Sequence, residues 1–99
     1  MAAYAVFIRN KITNPDEMAT YGAKAAKAGR AGMKPLALYG KCETPEGEPA
    51  EGVVIIEFPS MDEAKAWYNS DAYQDALKHR KAGSDYRVIL TEGFTMPGA

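Results

Sequence analysis

Two extended segments of this chain are apolar on both of their alternating faces, and this feature limits its folding more than any other. The segments cover residues 4–8 and 53–58, which are rich in β-branched and aromatic side chains. An antiparallel strand with one face in water normally alternates apolar and polar side chains. Both segments are therefore predicted to be strands of a sheet whose two faces must both be covered.

Capping signals mark the helical regions between the strands. Asn14 and Pro15 suit the cap and the first position of one helix, and Ser60 with Glu63 forms a capping box for a second. Within the second helical region, Ser70 can cap a second helical piece, and Gly83 is predicted to stop that piece. The predicted elements are strands at residues 4–10, 35–42, 53–58 and 86–92, a helix from residue 14 to Gly29, and a two-piece helix from residue 60 to Gly83.

This order, β-α-β-β-α-β, predicts a ferredoxin-like α+β domain with four mostly antiparallel strands and helices on one face. We expect a single domain over residues 1–99, with an ordered core at about residues 3–94. The helices cover one face of the sheet, so a second copy of the chain is expected to cover the other in a two-fold dimer. The alternative is a hydrophobic sheet in a monomer.

The charge balance and the cysteine content limit the kinds of partner and the cellular location that we expect. Twelve Lys and Arg face thirteen Asp and Glu, so the basic excess typical of nucleic-acid binders is missing. The longest aliphatic run is far shorter than the ~20 residues that cross a bilayer, and no membrane association is expected. Cys42 is the only cysteine and the N-terminus lacks a secretory pattern, so we expect a cytoplasmic protein. With His79 as the only histidine, neither a metal site nor a cofactor is predicted.

The second half of the chain carries a distinctive pattern. The positions that form it are residues 54–60 and 63–70, then Tyr73, Gln74, Arg80, Glu92 and Gly93. In this pattern the chain resembles the domain-of-unknown-function family 1330. The resemblance implies a dimeric α/β-barrel, in a group that includes cofactor-free monooxygenases, haem enzymes and muconolactone isomerase and therefore fixes no reaction. The family's usual Arg-Gly-Gly turn is replaced here by Leu38-Tyr39-Gly40, which removes an arginine that could hold an anion.

An aromatic set is predicted to gather around the helices. Its members are Tyr4, Tyr21, Trp67, Tyr68 and Tyr73. Their helical spacing is typical of core residues, but the hydroxyls of buried tyrosines need partners, and such a wall would suit a flat or aromatic ligand. Both interpretations stay open. Gly22, on the same helix as Tyr21, is expected to mark close packing.

Arg80 falls on the inward stripe of the last helix, where a cation needs a carboxylate or a ligand. One interpretation is an internal pair with Glu57 or Glu92, each near the end of a strand. The other is that Arg80 and one of these glutamates face a small pocket, where Arg80 holds an oxyanion and the glutamate moves a proton. His79 is a further catalytic candidate, although its basic neighbours also suit the negative end of a helix dipole.

The sequence supports two hypotheses for the function. The first is a protein that binds a small organic molecule, aromatic or acidic, between sheet and helices, with cofactor-free catalysis left undecided. Its ligand-binding candidates are Tyr21, Trp67, Tyr68, Tyr73 and Arg80, and its catalytic candidates are Arg80, Glu57, Glu92 and His79. The second hypothesis is a non-catalytic homodimeric structural or interaction module.

Overall fold

Four strands and three helices follow one another in the predicted order. The computed structural model describes residues 1–97; residues 98 and 99, the end of the predicted domain and of its C-terminal tail, lie outside the described residues. The elements are β1 (Ala3–Ile12), α1 (Pro15–Lys27), β2 (Lys34–Leu38), β3 (Gly52–Phe58), α2 (Met61–Tyr68), α3 (Asp71–Gly83) and β4 (Ser84–Glu92). Within residues 1–97, no helix has both the length and the apolar composition needed to cross a bilayer.

The strands form one four-stranded sheet in the order β2-β3-β1-β4, and every pairing between neighbours is antiparallel. On the central strand β1, Phe7 lies opposite Val54 of β3 and Val88 of β4. The preceding residue, Val6, lies opposite Ile55 and points to the other face of the sheet. The predicted α+β architecture and its antiparallel sheet are confirmed.

One face of the sheet packs against the helices and forms the hydrophobic core. Ala3, Ala5 and Phe7 of β1 are buried on this face. The Phe7 ring meets Trp67 of α2 and Tyr73 of α3 edge-on, with ring centroids 6.0 and 6.3 Å away. Edge-to-face contacts at these distances are favourable beyond the area they bury. The core is therefore an aromatic layer between the helices and the middle of the sheet.

The helices begin at the cap residues that the sequence predicts. Asn14 Oδ1 accepts hydrogen bonds from the backbone N–H groups of Asp16 and Glu17, at 3.1 and 3.3 Å. Ser60 Oγ and Ser70 Oγ each accept the N–H group three residues further on, at 3.1 and 3.2 Å. A side-chain cap of this kind contributes about 1 kcal/mol to helix stability. The helix starts are thus determined by local chemistry.

The ends of three elements differ from the prediction. β1 continues past residue 10 to Ile12, because it keeps pairing with the start of β4 beyond a bulge. α1 ends at Lys27 with Ala28 as its cap, before Gly29 is reached. β2 ends at Leu38 instead of residue 42, because the next residue, Tyr39, has a φ of 54° and turns the chain out of the sheet.

α1 and α3 pack side by side. They come close at Gly83, where a Cβ atom would lie only 2.8 Å from Glu17 Cβ. The Gly83 carbonyl accepts the backbone N–H of Thr13 at 2.8 Å. Further along, a salt bridge from Lys24 lowers the pKa of Asp75 to about 2. These contacts fix α1 at a set distance from α3 and so shape the space beneath α1.

Candidate functional site

A cavity of about 770 Å³ opens between α1 and the sheet, and we call it the large cavity. Its volume lies within the range of about 300–1,000 Å³ that is typical of small-molecule sites. Four of the lining residues carry a polar group in the side chain: Tyr21, Arg30, Tyr39 and Trp67. The apolar part of the lining consists of Phe7, Gly22, Ala25, Ala26, Gly29, Ala31, Met33, Pro35, Leu38, Val54 and Ile56.

The wall that α1 presents to this cavity is made of small residues. Gly22, Ala25 and Ala26 all line it. A Cβ atom built on Gly22 would meet no atom within 4 Å among the described residues. The close packing expected at Gly22 is therefore wrong, because the helix faces open space at this position.

Trp67 provides a buried polar group on the opposite side. Its ring packs at 4.2 Å from Tyr73 and at 5.4 Å from Phe58, both measured between ring centroids. The indole Nε1–H is fully buried and has no hydrogen-bond partner among residues 1–97. An N–H group without a partner in such a position costs about 1–3 kcal/mol. The donor is enclosed by the side chains around it and does not open onto the cavity.

Two tyrosine hydroxyls meet beside the large cavity. Tyr21 lines it, Tyr73 lies behind Tyr21, and their hydroxyl oxygens are 2.9 Å apart. Burial raises the pKa of both phenols, so both stay protonated at neutral pH. The Arg80 guanidinium acts in the opposite direction on both, since a nearby cation favours the phenolate.

Tyr39 lies across one end of the sheet and lines the same cavity. Its hydroxyl hydrogen-bonds to that of Tyr86, and the Arg9 guanidinium lies 4.3 Å from the centre of its ring. Burial raises the pKa of Tyr39. The ring passes over Gly52, where a Cβ atom would lie 2.7 Å from Tyr39 Cδ1.

Sequence reasoning missed Tyr39, Arg9 and Tyr86 as parts of this site. One signal was present in Gly52, because a glycine at the start of a strongly apolar strand often marks a close approach of another group. The identity of that group depends on the turn at Tyr39, which could not be predicted from local sequence.

A second, smaller cavity of about 320 Å³ lies on the other side of the tyrosine pair, and we call it the small cavity. Tyr68 and Arg80 line it, together with Lys81, Ser84, Asp85, Tyr86 and Val88. The five predicted ligand-binding residues therefore do not share one cleft. Tyr21 and Trp67 face the large cavity, Tyr68 and Arg80 face the small one, and Tyr73 is fully buried between them.

The expected pairing of Arg80 with a glutamate is wrong. Glu57 points to the helix-free face of the sheet, where it accepts a hydrogen bond from the Tyr4 hydroxyl at 3.3 Å. Glu92 is exposed at the end of β4, opposite Ala3. In residues 1–97, no carboxylate oxygen lies within 4.0 Å of the Arg80 guanidinium.

His79 lies away from both cavities. Its Nδ1 atom is 2.7 Å from Glu17 Oε2, which joins α3 to α1. In the described part of the chain, no three His, Cys, Asp or Glu side chains come together in a group that could hold a metal ion.

Comparison with known proteins places the chain in a family. The family model described as "Domain of unknown function (DUF1330)" matches residues 2–94. The chain belongs to this family. The resemblance is therefore confirmed, and the match extends over nearly the whole chain. No curated protein matches the chain.

Several solved structures have a similar fold. RPA0582, a protein of unknown function from Rhodopseudomonas palustris, is 24% identical over 96% of this chain and 84% of its own, with a TM-score of 0.67. SnoaB, a cofactor-independent oxygenase from Streptomyces nogalater, is 12% identical over 99% of this chain and 97% of its own, with a TM-score of 0.63. A dimeric ferredoxin-like protein of unknown function from Thermobifida fusca is 12% identical over 94% and 92%, with a TM-score of 0.64. These likenesses establish the ferredoxin-like fold.

Proposed function

We propose that this DUF1330 protein binds a small, mainly apolar organic molecule in the large cavity. The observation that carries the proposal is an open volume of about 770 Å³ beneath a helix that lines it with glycine and alanine. Protein interiors are close-packed, and an open apolar volume forfeits the dispersion contacts that its lining atoms would otherwise make. A ligand in the large cavity would restore those contacts.

The polar groups of the cavity favour a flat molecule with a hydrogen-bond acceptor. Phe7, Tyr21 and Trp67 present aromatic rings to the space. The lining residues Arg30 and Tyr39 carry hydrogen-bond donors, which a carbonyl, ether or hydroxyl oxygen on the ligand would accept. We therefore expect aromatic ketones and phenols to bind better than saturated hydrocarbons of the same size.

A thermal-shift screen with Gly22 variants tests this proposal. Gly22→Phe places a ring in the large cavity, whereas Ala23→Phe adds the same ring at the next, exposed position, which does not line the cavity. A bound compound at 100 times its Kd stabilises the folded state by about 2.7 kcal/mol. We expect phenols and aromatic ketones to raise the Tm of the wild type and of Ala23→Phe, and to leave that of Gly22→Phe unchanged. A panel without any active compound, or an equal response in Gly22→Phe, would contradict the proposal.

Conversion of the ligand is a further hypothesis. SnoaB has a similar fold and is a cofactor-independent oxygenase, but a likeness at 12% identity carries the fold alone. Binding is the function that the cavity itself supports.

We also propose that the chain acts as a homodimer, which is the basis of the alternative function as an interaction module. The helix-free face of the sheet presents apolar side chains along its centre: Val6, Ile8, Val53, Ile55 and Ile89. The Thermobifida fusca protein with a similar fold is described as dimeric. Pairing two such faces would remove this apolar surface from water. The cytoplasmic location expected from the sequence stays a prediction.

A further inference from the structure

We propose that the small cavity is a second binding site, separate from the large one, and that it takes a small organic carboxylate on Arg80. This second ligand is different from the mainly apolar ligand proposed above, because the two cavities are lined by different kinds of side chain. Arg80 and Tyr86 line the small cavity, whereas the lining of the large cavity is mostly apolar.

Arg80 is a buried cation without an internal counter-ion. Only 5% of its surface is exposed, and its Nε–H has no hydrogen-bond partner among the described residues. No carboxylate of residues 1–97 approaches its guanidinium within 4.0 Å. A buried charge is normally paired, because its removal from water is costly. The missing partner is therefore expected to come from outside the chain.

The contacts of Arg80 are with aromatic side chains. Its guanidinium carbon lies 5.0 Å from the centre of the Tyr86 ring and 5.9 Å from that of Phe7. A hydrogen bond between the guanidinium and the Tyr73 hydroxyl counteracts part of the rise in the pKa of that phenol. These contacts hold Arg80 in position, and its Nε–H stays without a partner among residues 1–97.

The remaining groups of the small cavity also favour an anion. Lys81 adds a second cation to the lining, and Tyr68 adds a hydroxyl group. Asp85 is the acidic group of the lining, and its carboxylate accepts a hydrogen bond from Asn10 Nδ2 at 3.2 Å. The Ser84 hydroxyl donates to the Arg80 carbonyl at 2.7 Å. Two cations against one carboxylate leave a net positive charge in the small cavity.

A carboxylate matches this site better than other small anions. Its two oxygens fit the parallel N–H groups of a guanidinium, and charge-assisted pairs of this kind are roughly twice as strong as neutral hydrogen bonds. A volume of about 320 Å³ accepts a carboxylate attached to a small ring. Benzoate is therefore the probe of choice, and benzamide is its neutral counterpart of the same shape.

One ¹H–¹⁵N spectrum can follow both cavities during a benzoate titration. The buried Nε–H of Arg80 reports on the small cavity and the single Trp67 indole N–H on the large one. Arg87 Nε is an internal control, because Arg87 is exposed and lines neither cavity. We expect benzoate to move the Arg80 signal and benzamide to leave it in place, with the Arg87 and Trp67 signals unchanged.

Substitutions then assign the effect to Arg80. Arg80→Gln removes the charge and is expected to weaken benzoate binding about 10- to 100-fold, while Lys81→Gln weakens it less. The comparison of benzoate with benzamide uses the wild-type protein. It therefore tests the proposal even if the Arg80→Gln protein does not fold. An Arg80 signal that ignores benzoate, or that moves equally with benzamide, would overturn it. Failure of the large cavity to bind phenols would leave this result untouched.

Discussion

The hydroxyl pair of Tyr21 and Tyr73 shows how two residues can determine the highest pH at which a small protein stays folded. Both phenols are buried, and burial raises the pKa of each. Ionising either one would leave a charge in the aromatic core, next to the oxygen atom with which it shares a hydrogen bond. The pair is therefore stable only in its neutral form.

A pH prediction follows from these raised pKa values. The contribution of the two phenols to stability is complete below the ordinary tyrosine pKa of about 10 and is lost as the pH rises towards their folded-state pKa. In that range, each phenol lowers the free energy of unfolding by about 1.4 kcal/mol per pH unit. We expect Tyr21→Phe to remove about 1.4 kcal/mol from the total loss of stability between pH 9 and about 11, as measured by urea unfolding, because the full slope is reached only above pH 10. Equal slopes in the variant and the wild type would contradict this account.

Single residues also show where sequence reasoning stops. Arg80 was predicted to need a partner, since a cation on an inward helix stripe is rarely left alone. Glu57 was the wrong partner, because both faces of β3 are apolar and a period of two cannot tell which face meets the helices. Only the packing of the helices against Ile56 and Phe58 decides that Glu57 points away.

At the level of elements, the starts of the helices were predictable, whereas several strand bounds and the end of α1 were not. The caps at Asn14, Ser60 and Ser70 act within three residues, so the local sequence contains the whole signal. The end of β2 depends on Tyr39, whose left-handed backbone goes with its contact to Tyr86, 47 residues away in sequence. The expected single cleft is divided into two cavities. This division also could not be predicted from local sequence, because it depends on how the three helices pack.

Helix α1 provides a stability prediction of its own. Gly22 lies in the helix interior, and an added Cβ atom would meet nothing within 4 Å among the described residues. Replacing such a glycine with alanine removes backbone freedom from the unfolded chain and is worth up to about 1 kcal/mol. We expect Gly22→Ala to be more stable than the wild type by about 0.5–1 kcal/mol in urea unfolding. A destabilised variant would mean that α1 approaches the core more closely than the structure shows.

At the level of the whole molecule, the helix-free face of the sheet predicts a dimer. Ile89 of β4 is 39% exposed on this face, beside Val6 of β1. We expect the wild type to sediment at twice the 10.7 kDa of one chain, and Ile89→Glu to shift it towards the monomer. Leu38→Glu, which lies opposite Val54 on the helix side of edge strand β2, is the matched control and should remain dimeric. A wild type that stays monomeric at micromolar concentration would remove the interaction-module alternative.

The central claim is that the space beneath α1 holds a ligand, and the Trp67 indole N–H signal tests it most directly. The chain has one tryptophan, so its ¹H–¹⁵N spectrum contains a single indole signal, from a residue that lines the large cavity. During titration with a phenol or aromatic ketone from the screen, we predict that this signal moves in the wild type and in Ala23→Phe and stays fixed in Gly22→Phe. An indole signal that does not move at saturating ligand, or that moves equally in Gly22→Phe, would contradict the account.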